Sequence, residues 1–154
     1  MSFASVFFAH SAFGEWRTGN PYFNPAYYAD QYPDLRKAYG YDADALKRHW
    51  LQFGIDEGRR GSPVLDLKFY LSRNPDIQKT FGKENYRKAL DHWRAHGMTE
   101  GRAAHPDFDP KWYYEQNEDV RKWAGKKEIY RRATEHYIKH GYEEGRLGAP
   151  KRKS

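Results

Sequence analysis

The sequence predicts an all-α fold: a single domain made of a tandem array of three short-helix repeats of about 43 residues, with a partial repeat in front. Three observations predict it. Segments beginning at Phe23, Leu65 and Phe108 align end to end at a step of 42 to 44 residues. Proline and glycine cut each segment into short pieces at matching places. No useful stretch alternates apolar and polar residues with the two-residue period of a strand. Self-similarity at this period marks arrays in which each unit buries its apolar face against the next.

The elements follow in order. Residues 1–22 read as the tail half of a worn preceding repeat acting as a cap, because Phe13-Gly14 and Gly19-Asn20-Pro21-Tyr22-Phe23 echo Phe53-Gly54 and Gly61-Ser62-Pro63-Val64-Leu65 once two residues are deleted. The repeats then span 23–64, 65–107 and 108–150, and residues 151–154 form a basic tail expected to be disordered. Asn24, Asp66 and Asp109 stand where an N-cap belongs, with Pro25 and Pro110 at the following position, where a missing N–H costs nothing. This first helix is short, since Pro33 and Pro75 bias the residue before them away from helical torsions. Asn74 and Asn117 are expected to cap a second short helix carrying Leu35, Ile77 or Val120, which ends at Gly40, Gly82 and Gly125 in left-handed C′ positions. A longer third helix, with Tyr86, Ala89 and Trp93 as its apolar stripe in the second repeat, leads to Gly54, Gly97 and Gly141. Gly-x-x-Glu-Gly-Arg is then one tight turn ended by its second glycine.

The chain of 154 residues is long enough to bury about two-thirds of its unfolded surface. Its hydrophobic fraction is only 38%, but it holds 13 Tyr, 9 Phe and 5 Trp, so the core is expected to consist of rings whose polar ends reach its edge. Tyr28, Tyr70 and Tyr113 recur at one position, and Trp50, Trp93 and Tyr137 at another; both sets are expected in the core. The net charge is +6, of which Lys151, Arg152 and Lys153 supply three, leaving +3 interleaved along the other 150 residues. That is a mixed solvated surface with a basic end. With no cysteine there is neither disulfide nor thiolate chemistry. No apolar run suggests a membrane span. The apolar stretch near the start has no basic region before it and makes a poor signal peptide.

The pattern Phe-Asp-Pro-x-x-Tyr-Tyr, Asn-Pro-Asp-Val, His-Tyr/Trp, Gly-x-x-Glu-Gly-Arg, read over residues 23–146, resembles a tandem repeat of bacterial surface-associated proteins and of proteins linked to glycosyltransferases. The resemblance implies an accessory, glycan-associated role in a soluble, cell-surface or secreted setting. This chain is more charged than the usual alanine- and valine-rich copies.

His49, His92 and His136 align, and a second histidine follows four residues later in His92/His96 and His136/His140, a spacing able to chelate zinc, nickel or copper. Phe53 takes that place in the first repeat and no carboxylate recurs as a third ligand. The preferred reading is a core-edge imidazole bonded to a backbone carbonyl, with no metal and no cofactor. Arg59, Arg102 and Arg146 either neutralise the carbonyls of the preceding turn or form a row facing an acidic ligand. Trp16, Trp112 and Trp123 lack an aromatic counterpart in every copy and are the candidate stacking platforms for a sugar or a base. There is no phosphate loop, serine elbow or His-Glu-x-x-His, so an enzyme is not expected. The expected function is a non-catalytic module binding a glycan or a protein partner. The alternative is a basic, aromatic binder of nucleic acid or another anionic polymer. The sequence leaves the oligomeric state open.

Overall fold

The computed structural model describes residues 20–152, and these form an all-helical chain. In the first segment α1 (Pro25–Gln31), α2 (Pro33–Tyr39) and α3 (Ala43–His49) lead into a π-helical turn, Trp50–Gly54. The second segment has α4 (Leu67–Arg73), α5 (Pro75–Phe81) and α6 (Tyr86–His92), the π turn Trp93–Gly97 and a last short turn, α7 (Met98–Glu100). The third has α8 (Pro110–Gln116), α9 (Glu118–Ala124) and α10 (Ile129–His136), followed by Tyr137–Gly141. Among the described residues no strand forms; β-type contact is limited to isolated bridges such as His105–Phe108.

Helix starts follow the expected capping. Asn24 and Asp66 each accept a backbone N–H at 3.1 Å, from Tyr27 and Phe69, and Asp109 accepts that of Trp112 at 3.3 Å. Pro25 and Pro110 open α1 and α8. The second helices differ from expectation. Asn74 and Asn117 hold N-cap positions, but their side chains make no capping bond. Their Nδ2 groups instead donate back to Tyr70 O at 2.6 Å and Tyr113 O at 2.8 Å. The Oδ1 that would cap instead accepts from Arg102 Nη1 at 2.8 Å in Asn74 and from Arg146 Nη1 at 3.2 Å in Asn117, while each Nδ2 satisfies a carbonyl that the preceding helix leaves without a partner. Gly40, Gly82 and Gly125 do take positive φ (58°, 92° and 74°), but with ψ of −126°, 172° and −143°. That is glycine-only backbone rather than the left-handed helical cap expected.

The third helix differs in a more informative way. It does not stop at Gly54, Gly97 or Gly141; the π turn carries it on, with Ile55 N–H donating to Trp50 O at 3.0 Å and Tyr142 N–H to Tyr137 O at 2.8 Å. These glycines are needed for space. A Cβ at Gly54, Gly97 or Gly141 would lie 2.2, 2.4 or 2.2 Å from the hydroxyl of Tyr28, Tyr70 or Tyr113.

Rings anchor the core but share it with more aliphatic side chains than expected, Leu46, Val64, Leu65 and Ile138 among them, all fully buried. Tyr28, Tyr70 and Tyr113 are fully buried, and Trp50, Trp93 and Tyr137 nearly so, within one apolar cluster running from Phe23 to Ile138. Phe23 stacks on Trp50 at 5.1 Å and Phe108 on Tyr137 at 4.6 Å. The tail of each segment returns to its start: Asn24 N–H donates to Gly61 O at 2.8 Å, Asp109 N–H to Gly148 O at 2.9 Å, and Asp66 N–H to Ala104 O. Neighbouring segments are tied by polar contacts, Arg87 to Asp56 at 2.7 Å and Arg131 Nη2 to Arg94 O at 2.9 Å.

Candidate functional site

Each third helix brings its histidine against the buried tyrosine of the first. Tyr28 Oη lies 2.9 Å from His49 Nδ1, Tyr70 Oη 2.8 Å from His92 Nδ1, and Tyr113 Oη 2.9 Å from His136 Nδ1. The partner is therefore a tyrosine hydroxyl and not the backbone carbonyl expected. The physical reason is reach: the ring crosses the core and its hydroxyl arrives beneath the π turn, in the space the glycine leaves open. The spacing from Gly40, Gly82 and Gly125 to the histidine is nine, ten and eleven residues, yet the bond hardly changes. The added residues are taken up in the link and in α10, which is 8 residues long where α3 and α6 have 7.

Burial raises the pKa of all three tyrosines, and burial followed by the charges of Arg102 and Arg146 lowers those of His92 and His136. Both shifts favour neutral partners, which suits a hydrogen bond holding two elements together.

Arg59, Arg102 and Arg146 face carboxylates of their own chain. Arg146 Nε donates to Glu144 at 2.7 Å, and its two Nη groups to Asp119 at 2.9 and 2.7 Å. Arg59 makes the same fork on Asp34 at 3.1 and 3.0 Å and on Glu57 at 2.6 Å, above the Tyr32 ring. Arg102 pairs with Asp76 at 2.9 Å and Glu100 at 2.6 Å. Hydrogen bonding from Arg146 holds the Asp119 carboxyl down at about 2. Each guanidinium thus joins the last turn of a segment to the start of its second helix.

Around the imidazoles the segments diverge. Beside His49 stand Tyr39 at 6.1 Å and Phe53 at 5.6 Å, both exposed. Beside His92 stands His96, at 5.4 Å. Beside His136 stand His140 at 5.2 Å and the edge of Trp123 at 5.3 Å. The Trp123 ring carries Arg132 at 5.0 Å and Lys139 at 5.8 Å. Of the sequence-predicted platforms, Trp112 and Trp123 are both half-buried, and Trp16 lies outside the described residues. The structure brings Trp123 to an imidazole pair, while Trp112 lies on α8. Among the described residues no group of three or more His, Cys, Asp or Glu is placed to hold a metal, and no helix is long and apolar enough to cross a membrane.

One polar residue escaped the sequence reading altogether. His105 is buried; its Nδ1 accepts the Asp107 N–H at 3.0 Å and its Nε2 lies 3.1 Å from Tyr27 Oη. An accepting Nδ1 places the ring proton on Nε2, which then donates to Tyr27. Burial first, then Arg60, lowers its pKa to about 4. From the basic end, Arg152 pairs with Asp107 at 2.8 Å, while residues 153–154 lie outside the described residues. The chain matches no family model, no curated protein and no solved structure.

Proposed function

We propose that the chain is a non-catalytic interaction module: three copies of one helical unit (residues 23–64, 65–107 and 108–150) behind a partial copy in residues 1–22, holding a glycan or a protein partner on an aromatic surface. The observation that carries this reading is the division between recurring and non-recurring residues. The recurring tyrosines, histidines, arginines and aspartates bond to one another inside each unit. The rings that vary, Tyr39 and Phe53 in the first unit and Trp123 in the third, stand at the surface beside an imidazole. Surface Tyr and Trp offer a flat apolar body with a polar tip, the combination that packs on a sugar face. The likeness of the motif to repeats of bacterial surface-associated and glycosyltransferase-linked proteins supports the glycan version. In this reading Arg59, Arg102 and Arg146 shape the units, and Trp123 meets the ligand, with Trp112 and Trp16 as further candidates.

The test is a glycan array followed by tryptophan-fluorescence titration of wild type and Trp123→Ala. Binding that Trp123→Ala abolishes, with cooperative unfolding retained well above the assay temperature, is expected. No binding across acidic, neutral and amino sugars would end the glycan version. A second reading, an anionic polymer such as nucleic acid, rests on Arg132 and Lys139 set over the Trp123 ring. It predicts affinity that falls steeply with salt and survives deletion of residues 151–154. Affinity that disappears with the tail would remove the folded array as the reader.

A further inference from the structure

Two pairs of imidazoles stand four residues apart at the ends of α6 and α10, with ring centroids 5.4 Å apart for His92/His96 and 5.2 Å for His136/His140. Two imidazoles sharing one tetrahedral ion, with metal–nitrogen bonds of about 2.0–2.1 Å, have centroids about 5 Å apart. Both pairs meet that separation, and their surroundings separate them. His136 is only 5% exposed. The Trp123 ring lies 5.3 Å from His136 and 6.5 Å from His140, and brings the cations Arg132 and Lys139 with it. An ion approaching this pair meets a covered ring and two positive charges. His92 is half-exposed and His96 exposed. The positive charge nearest His92 in effect, Arg102, is held by Asp76 at 2.9 Å and Glu100 at 2.6 Å.

Tyr70 prepares His92 as a ligand. Binding through Nε2 selects the tautomer in which Nδ1–H donates to Tyr70 Oη across the 2.8 Å contact, and that contact fixes the ring with the kind of partner that orients metal-bound histidines. We infer that His92 and His96 form a surface site for one divalent transition-metal ion, with water completing its coordination. The Irving–Williams order places Cu2+ above Ni2+ and Zn2+ at such a nitrogen site. The first segment supplies its own control, since Phe53 stands where the second imidazole would be and offers no ligand.

The test is calorimetric titration of the full chain with Cu2+ near pH 7, together with NMR of the histidine ring protons at sub-stoichiometric Cu2+. One ion per chain is expected, broadening the His92 and His96 signals first. His96→Gln, at an exposed position, should weaken binding by about tenfold or more, while His140→Gln leaves it unchanged. Equal affinity in wild type and His96→Gln would overturn the site. So would broadening centred on His136 and His140, or equal losses in the two variants.

Discussion

The second and third segments share an inner face and differ on the outer one. Inside, Tyr70–His92 and Tyr113–His136 are bonded at 2.8 and 2.9 Å beneath Gly97 and Gly141, and an arginine fork closes each segment. Outside, His136 lies under Trp123 while His92 is open beside His96. The tails show the same division. Ser62 Oγ accepts the Val64 N–H at 3.3 Å and donates to Pro21 O at 2.7 Å; in the next tail His105 takes over both kinds of bond, with Asp107 and Tyr27. Positions recur where the backbone has one way to close, and vary where a side chain meets solvent or can be exchanged for another group of similar reach.

That comparison can be broken first at its rings. Trp93 is 2% exposed and central, so Trp93→Ala should cost about 3–5 kcal/mol through lost burial and an unfilled cavity. Trp112→Ala and Trp123→Ala, at half-buried rings, should each cost at most half as much, read as urea midpoints at constant slope. Equal losses would erase the difference between inner and outer rings.

The tails differ in charge chemistry, which gives the next effect. His105 is neutral when folded, with its pKa lowered to about 4 against an ordinary value near 6.5. The unfolded chain binds the proton more readily, so this contribution is complete above about 6.5 and is lost as pH falls through about 4. Between pH 7 and 5 the folded state should lose about 2 kcal/mol from this residue. His92 and His136 act in the same direction. His105→Ser, which copies Ser62, should flatten the wild-type pH dependence; an unchanged slope would refute the assignment. The smallest effect belongs to the arginine forks, whose acids are largely exposed. Arg146→Ala should lower stability by about 1 kcal/mol or less, and NMR should show the Asp119 titration rising from about 2 toward the ordinary carboxylate range.

Much of the fold was legible because its signals are local. Asn24, Asp66 and Asp109 act through N–H groups two or three residues away, and the prolines through their own rings. The recurring rings marked the core for the same reason that they recur. Legibility stopped where partners are far apart in sequence. Tyr70 and His92 each recurred visibly, but nothing in a 22-residue separation says that they touch. Gly97 read as a helix end because glycine usually is one; its role depends on a hydroxyl from another helix. The aspartates answering Arg102 and Arg146 recur as well, 26 and 27 residues upstream, and that shared recurrence was the available signal. His105 occurs once, so no recurrence could announce it.

Tyrosine hydroxyl, histidine and glycine form one constellation that fixes each third helix. A double-mutant cycle on Tyr70 and Gly97 tests it most directly. In an ordinary helix interior, Gly→Ala stabilises by up to about 1 kcal/mol. Here the new Cβ would sit 2.4 Å from Tyr70 Oη and 2.8 Å from Trp93 Cδ1, so Gly97→Ala should instead destabilise, by about 1–3 kcal/mol. In a Tyr70→Phe background the hydroxyl is gone and the same substitution should cost clearly less. A Gly97→Ala variant as stable as wild type or more so, or one equally costly in both backgrounds, would contradict the account.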